Sequence, residues 1–140
     1  MKQDEYRDLL RSLDDPVNWE SPPGMDYEDQ IARFFQFVSQ LEKRLGNKLK
    51  VETGSNIQDA SFHSEVLLGN TCLRFSNFGN MIAVSDDKAI PPVTLETVVE
   101  LAQQNGYIFI PTELLEEEYD GDNPGVTGIR DWWIRYFDWV

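Results

Sequence analysis

Hydrophobic spacing switches from a helical period to a period of two at Gly46, and that change constrains the fold more than any other feature. Upstream, Ile31, Phe34, Phe35, Val38, Leu41 and Leu45 recur at helical spacing, the pattern of a helix with one buried face. Asp26, Glu28 and Asp29 stand at its start and Lys43 and Arg44 in its last turn, each favourable against the helix dipole. Gly46-Asn47 supplies the stop, so a helix is expected over 26–45 with Phe35 in the core. Downstream the period is two. Phe62, Ser64 and Val66 alternate with Ser61, His63 and Glu65, which predicts a strand over 60–68. Gly69-Asn70 and the segment 77–80 are turn chemistry, so 71–76 and 81–85 return as strands of an antiparallel meander. Residues 49–53 are a shorter strand candidate.

The flanking segments complete an α+β pattern. Tyr6, Leu9, Leu10 and Leu13 mark an amphipathic helix over 3–13, ended by Asp14-Asp15-Pro16 because the residue before proline avoids the helical region. Residues 16–24, with Trp19 and Pro22-Pro23-Gly24, read as a loop. A third helix is expected to start at Thr94 as N-cap, to bury Leu95, Val98, Val99 and Ala102, and to stop at Asn105-Gly106. Residues 107–110 read as a buried strand, and Pro111-Thr112 opens a short turn that turns Leu114 and Leu115 inward. With no internal repeat and no interdomain linker, residues 1–140 form a single α+β domain, an antiparallel sheet of about four strands packed against helices.

Charge narrows the partners. The chain has 25 acids against 12 bases, a net charge of −13, concentrated in the first thirty and last fifty residues. Such a balance is repelled by nucleic acid and by anionic membranes and favours basic partners, although acidity also serves solubility alone. No stretch approaches the length of an apolar membrane span. Cys72 is the only cysteine and Met1-Lys2-Gln3-Asp4-Glu5-Tyr6 is no apolar signal region, so a reducing cytosol is the expected compartment.

The densest acidity is a run without a base: Glu113, Glu116, Glu117, Glu118, Asp120 and Asp122, with Tyr119 inside it. These seven residues are the candidate partner-binding surface. No catalytic or cofactor-binding set emerges. His63 is the only histidine, which excludes a two-histidine metal motif; on a strand it shares a face with Ser61 and Glu65, as a surface or hydrogen-bonded polar residue. Neither Cys72 nor Ser61 is spaced to suggest a nucleophile paired with it. Asp120-Gly121-Asp122-Asn123-Pro124-Gly125 resembles the start of a calcium loop, but Pro124 stands at the fifth position and Asp131 replaces the glutamate expected at the twelfth. Acid pairs such as Glu116 with Asp120, or Asp86 with Asp87, need a desolvated cleft before they can do acid–base work. At the end of the chain Trp132, Trp133, Tyr136 and Phe137 fit one face of a short helix, with Asp131, Arg135 and Asp138 on a polar stripe. That aromatic face is either core or a partly exposed binding patch.

The final third is similar in pattern to a known group. Ile110-Pro111-Thr112-Glu113-Leu114-Leu115, then Tyr119-Asp120-Gly121, then Trp132 to Trp139 with Arg135-Tyr136-Phe137-Asp138, resembles the C-terminal ends of immunity proteins, small bacterial proteins encoded beside secreted polymorphic toxins. The resemblance implies a cytosolic, non-enzymatic inhibitor that binds a toxin domain, without cofactor. A basic, nuclease-type toxin would suit the acidity. Two other classes stand beside it: a small metal-dependent hydrolase using the 116–122 carboxylates, and an acidic structural or oligomerising domain.

Overall fold

A computed structural model describes residues 1–121 and 129–139. Helix α1 (Gln3–Ser12) and helix α2 (Tyr27–Leu45) precede strands β1 (Val51–Thr53), β2 (Phe62–Leu68), β3 (Thr71–Ser76) and β4 (Met81–Val84). Helix α3 (Pro92–Gln104), strand β5 (Ile108–Phe109), helix α4 (Thr112–Leu115) and helix α5 (Trp132–Phe137) follow. The fold is α+β, with one five-stranded sheet in the order β1-β2-β3-β4-β5. The first four strands pair antiparallel; β5 pairs parallel with β4, Met81 opposite Ile108. The sheet is therefore mixed, where the meander predicts an antiparallel one, and has five strands in place of about four. The parallel edge follows from α3, which carries the chain back across the sheet between β4 and β5 and so reverses no direction.

Each sheet face is covered. Val66, Leu73, Phe75, Ile82 and Val84 pack with Phe34, Phe37, Val38 and Leu41 of α2 and with Val98, Leu101 and Ala102 of α3. The opposite face carries Met81 and Ala83 against Leu10 of α1, Leu114 and Leu115 of α4, and Trp132, Tyr136 and Phe137 of α5. Helix α2 begins as its sequence directs. Asp26 caps it, accepting a hydrogen bond from Asp29 N, and Gly46 ends it at φ 77°, where a side chain would be strained.

Four expectations fail on the helices and strands. Phe35 is 47% exposed, while Phe37, absent from the helical reading, is fully buried. Two positions apart, Phe35 and Phe37 stand on nearly opposite sides of the helix; the sheet lies toward 34, 37, 38 and 41, so the buried stripe turns away from Phe35. Helix α3 starts earlier than Thr94, with Pro91 as N-cap and Pro92 in the first turn, the position where a missing N–H costs nothing. Thr97 and Leu101 are buried where Leu95 and Val99 are only half-buried. In β2 the alternation breaks, because a bulge lies between Phe62 and Ser64. Phe62 then faces α5 and lies edge-on to Trp139, while His63 turns toward the α2 side, its ring 6.1 Å from Phe75. His63 is thus a core residue, 3% exposed.

Helix α5 is a helix, as the polar spacing suggests, but the stripe is not solvated. Asp131 is the N-cap, accepting from Ile134 N. Arg135 is fully buried: its Nε donates to Asp14 Oδ1 at 2.7 Å, and its other nitrogens donate to the carbonyls of Trp19, Asn18 and Asp15. One guanidinium thereby fastens the α1–α2 loop to the last helix.

Candidate functional site

The acidic run begins on α4 and continues beside α1. Its side chains divide into two groups. Glu117 accepts a two-pronged contact from Arg7, Nε to Oε1 and Nη2 to Oε2, both at 2.8 Å. Asp120 accepts from Arg11 Nη2 at 2.9 Å. Tyr119 donates its hydroxyl to Asp14 Oδ2 at 2.5 Å. Hydrogen bonds from Arg7 hold the Glu117 carboxyl below the usual range, with the charge of Arg7 adding to them after the opposing effect of burial. The partly exposed Arg7 and Arg11 pairs add little stability, but they hold the backbone of the run against α1. Arg7 and Arg11 stand one helical turn apart, so both reach the same side.

Glu113, Glu116 and Glu118 form the second group. All three are exposed and none carries an ion pair among the described residues. Glu113 and Glu116 face Asp86 and Asp87 across a cleft of about 460 Å³, with Lys88 as the one base among its lining residues. Among the seven candidate residues, then, Glu113, Glu116 and Glu118 are open to a partner. Glu117, Tyr119 and Asp120 position the segment. Asp122 lies outside the described residues, as do Asn123, Pro124 and Gly125 of the calcium-like loop.

The reactive groups stand elsewhere. His63 Nδ1 is 2.8 Å from Ser64 Oγ, which is 2.9 Å from Thr53 Oγ1. Ser64 is fully buried, and His63 Nε2 has no protein partner. Burial, helped by the charge of Arg33, lowers the imidazole pKa to about 4, so it is neutral at physiological pH. A hydroxyl without surface access, beside an imidazole that no carboxylate among the described residues orients, is not arranged for attack on a substrate. Burial raises the Cys72 thiol, which weighs against a thiolate. No three His, Cys, Asp or Glu side chains among the described residues gather as metal ligands.

The C-terminal aromatics divide in the same manner. Trp132, Tyr136 and Phe137 are core, with Trp132 stacked on Tyr136 at 5.7 Å. Tyr136 donates its hydroxyl to Leu10 O at 2.5 Å, and burial raises its pKa. Trp139 stays 47% exposed, over the guanidinium of Arg74, which also lies 4.4 Å from the centre of the Phe62 ring. Sequence reasoning missed the arginines that hold the run, although the i, i+4 pair Arg7 and Arg11 was visible. It noted Asp86 and Asp87 only as a neighbouring pair, because nothing local says that β4 ends beside α4.

The geometry defines a class: an α+β protein with both sheet faces covered and a bare acidic cleft at one end of the sheet. Compared with known proteins, the chain matches no family model, no curated protein and no solved structure. No helix among the described residues is long and apolar enough to cross a membrane.

Proposed function

We propose that this chain is a non-enzymatic binding protein, a cytosolic immunity protein that occupies and blocks a basic toxin domain, for example one that acts on nucleic acid. The observation that carries the reading is the carboxylate cleft, where Glu113 and Glu116 meet Asp86 and Asp87 with a single base among them. A basic surface would supply the missing counter-charges, and the field of a −13 protein would speed the encounter. Arg7 and Arg11 hold the run against α1, so little ordering of its backbone is left for binding to impose.

The test is co-purification with the product of the adjacent gene, followed by the toxin's activity with and without the protein. A stoichiometric complex that loses toxin activity is expected. A complex in which the toxin stays active, or no complex with that product, sinks the reading.

A further inference from the structure

A second cleft lies at the other end of the sheet. Strands β2 and β4 run in the same direction, since each is antiparallel to β3. The carboxylate cleft follows the end of β4, and this one sits at the start of β2. It encloses about 490 Å³, with walls of Tyr27 and Ile31 from α2 and Ile57, Ala60 and Phe62 from the segment entering β2. Glu20 and Asp59 bring carboxylates to it, and neither forms an ion pair among the described residues.

The walls are held in place. Asn77 is buried and its Nδ2 donates to Glu20 O and Ala60 O, with Tyr27 Oη 3.4 Å away, so one amide ties three of the lining residues. Among the described residues the helix face above is only partly covered. Tyr27 is 45% exposed and Phe35 47%, with half-buried Ile31 between them at i, i+4 and i+8. Large apolar side chains left in a row beside a cleft mark an interaction surface more often than solvated helix.

A cleft that sets apolar side chains beside two carboxylates and an aromatic ring suits one kind of side chain. A long alkyl stem would lie against Ile31 and Ile57, and a terminal cation would meet Glu20, Asp59 and the Tyr27 ring. We infer that this cleft receives the alkyl cation of an arginine or lysine side chain on a protein partner. The inference rests on the reading of a basic protein partner and adds a second contact at the opposite sheet end from the acidic run.

The probe is n-butylguanidinium, titrated into the whole isotope-labelled protein and followed by amide shifts. Saturable shifts at Ile31, Ile57 and Ala60 are expected, with a Kd on the order of 1 mM. Its neutral counterpart n-butylurea should bind at least about tenfold more weakly, since a charged group set beside carboxylates gains what a neutral one cannot. Glu20→Gln with Asp59→Asn should weaken the guanidinium by a similar factor; asparagine also tolerates the positive φ of 53° that Asp59 adopts. Charge reversal of Glu113, Glu116 and Glu118 should leave this binding unchanged, which separates the fate of the cleft from that of the acidic run. Equal binding of urea and guanidinium, shifts centred on 113–118, or no saturation would overturn the inference. The urea comparison uses the unaltered protein and decides the matter even if the double variant fails to fold.

Discussion

Phe35 and Phe37 sit two positions apart on one helix, on nearly opposite sides of it, and the packing decides which is buried. Phe37 is fully buried, edge-on to Phe75 at 5.3 Å and to Tyr107 at 5.8 Å. Phe37→Ala should cost roughly 3–5 kcal/mol by loss of contacts and cavity formation, and Phe35→Ala about 1 kcal/mol or less. Urea melts of the two variants decide it; equal losses would mean that the exposed ring carries hidden packing. His63 supports a second prediction at this scale. An unfolded imidazole takes its proton near 6.5, and the buried one only at about 4. Protonation therefore favours the unfolded chain between those values. The stability from keeping His63 neutral is whole above about pH 6.5 and is lost as pH falls toward 4, by roughly 3 kcal/mol. Carboxylates such as Glu117, with lowered pKa, lose their contribution as pH falls through the ordinary carboxylate range and below it. His63→Leu should flatten the stability profile between pH 6.5 and 4.5 in denaturant melts, whatever its effect at pH 7. An unchanged slope would place the proton elsewhere.

Elements were legible where the cause was local. Asp26 and Gly46 mark α2 because a cap and a left-handed stop act within one turn. The turns at Gly69 and Gly79 are legible for the same reason, both at positive φ. What was not legible depended on distant partners. The bulge at His63 needs the register of β3. The burial of Arg135 needs Asp14, more than a hundred residues away. In the acidic run the residues were readable, but their division into bare and paired depends on α1, since no local pattern says that Glu117 meets Arg7. The Arg135–Asp14 contact is the element-scale prediction, for it joins the α1–α2 loop to α5. Both side chains are almost wholly buried, at 0% and 1% exposure. Arg135→Ala should therefore destabilise by roughly 3–5 kcal/mol, because it leaves Asp14 charged and buried beside Tyr119. It should also loosen the 14–19 segment, whose carbonyls it holds, so amide exchange there should rise well above that of α2. Exchange rising equally in α2 and the loop would show that the arginine holds the whole core and not this loop.

At the scale of the molecule the two sheet ends differ in character. Beyond the end of β4 the surface is carboxylate with little apolar cover, and at the start of β2 apolar side chains share the lining with carboxylates. The first arrangement suits long-range attraction and the second suits a desolvated contact. If a basic partner is drawn in by the acidic run, replacing Glu113, Glu116 and Glu118 by Lys turns three negative charges into three positive ones where no ion pair among the described residues is broken. Glu117 is left intact so that Arg7 keeps its partner and the fold is undisturbed. Association should slow by at least about tenfold at low salt, with dissociation far less changed, as expected for charges that steer more than they grip. The difference should shrink as salt shortens the screening length toward about 8 Å near physiological strength. Reversal of Glu28, Glu52 and Glu96, which likewise form no ion pair among the described residues, alters net charge by the same amount away from the run and serves as the control. Stopped-flow association of the three proteins at two salt concentrations reads the outcome. Equal slowing by both triples would make the acidity a diffuse field, and no slowing by either would leave the grip to the apolar surface of Tyr27, Ile31 and Phe35.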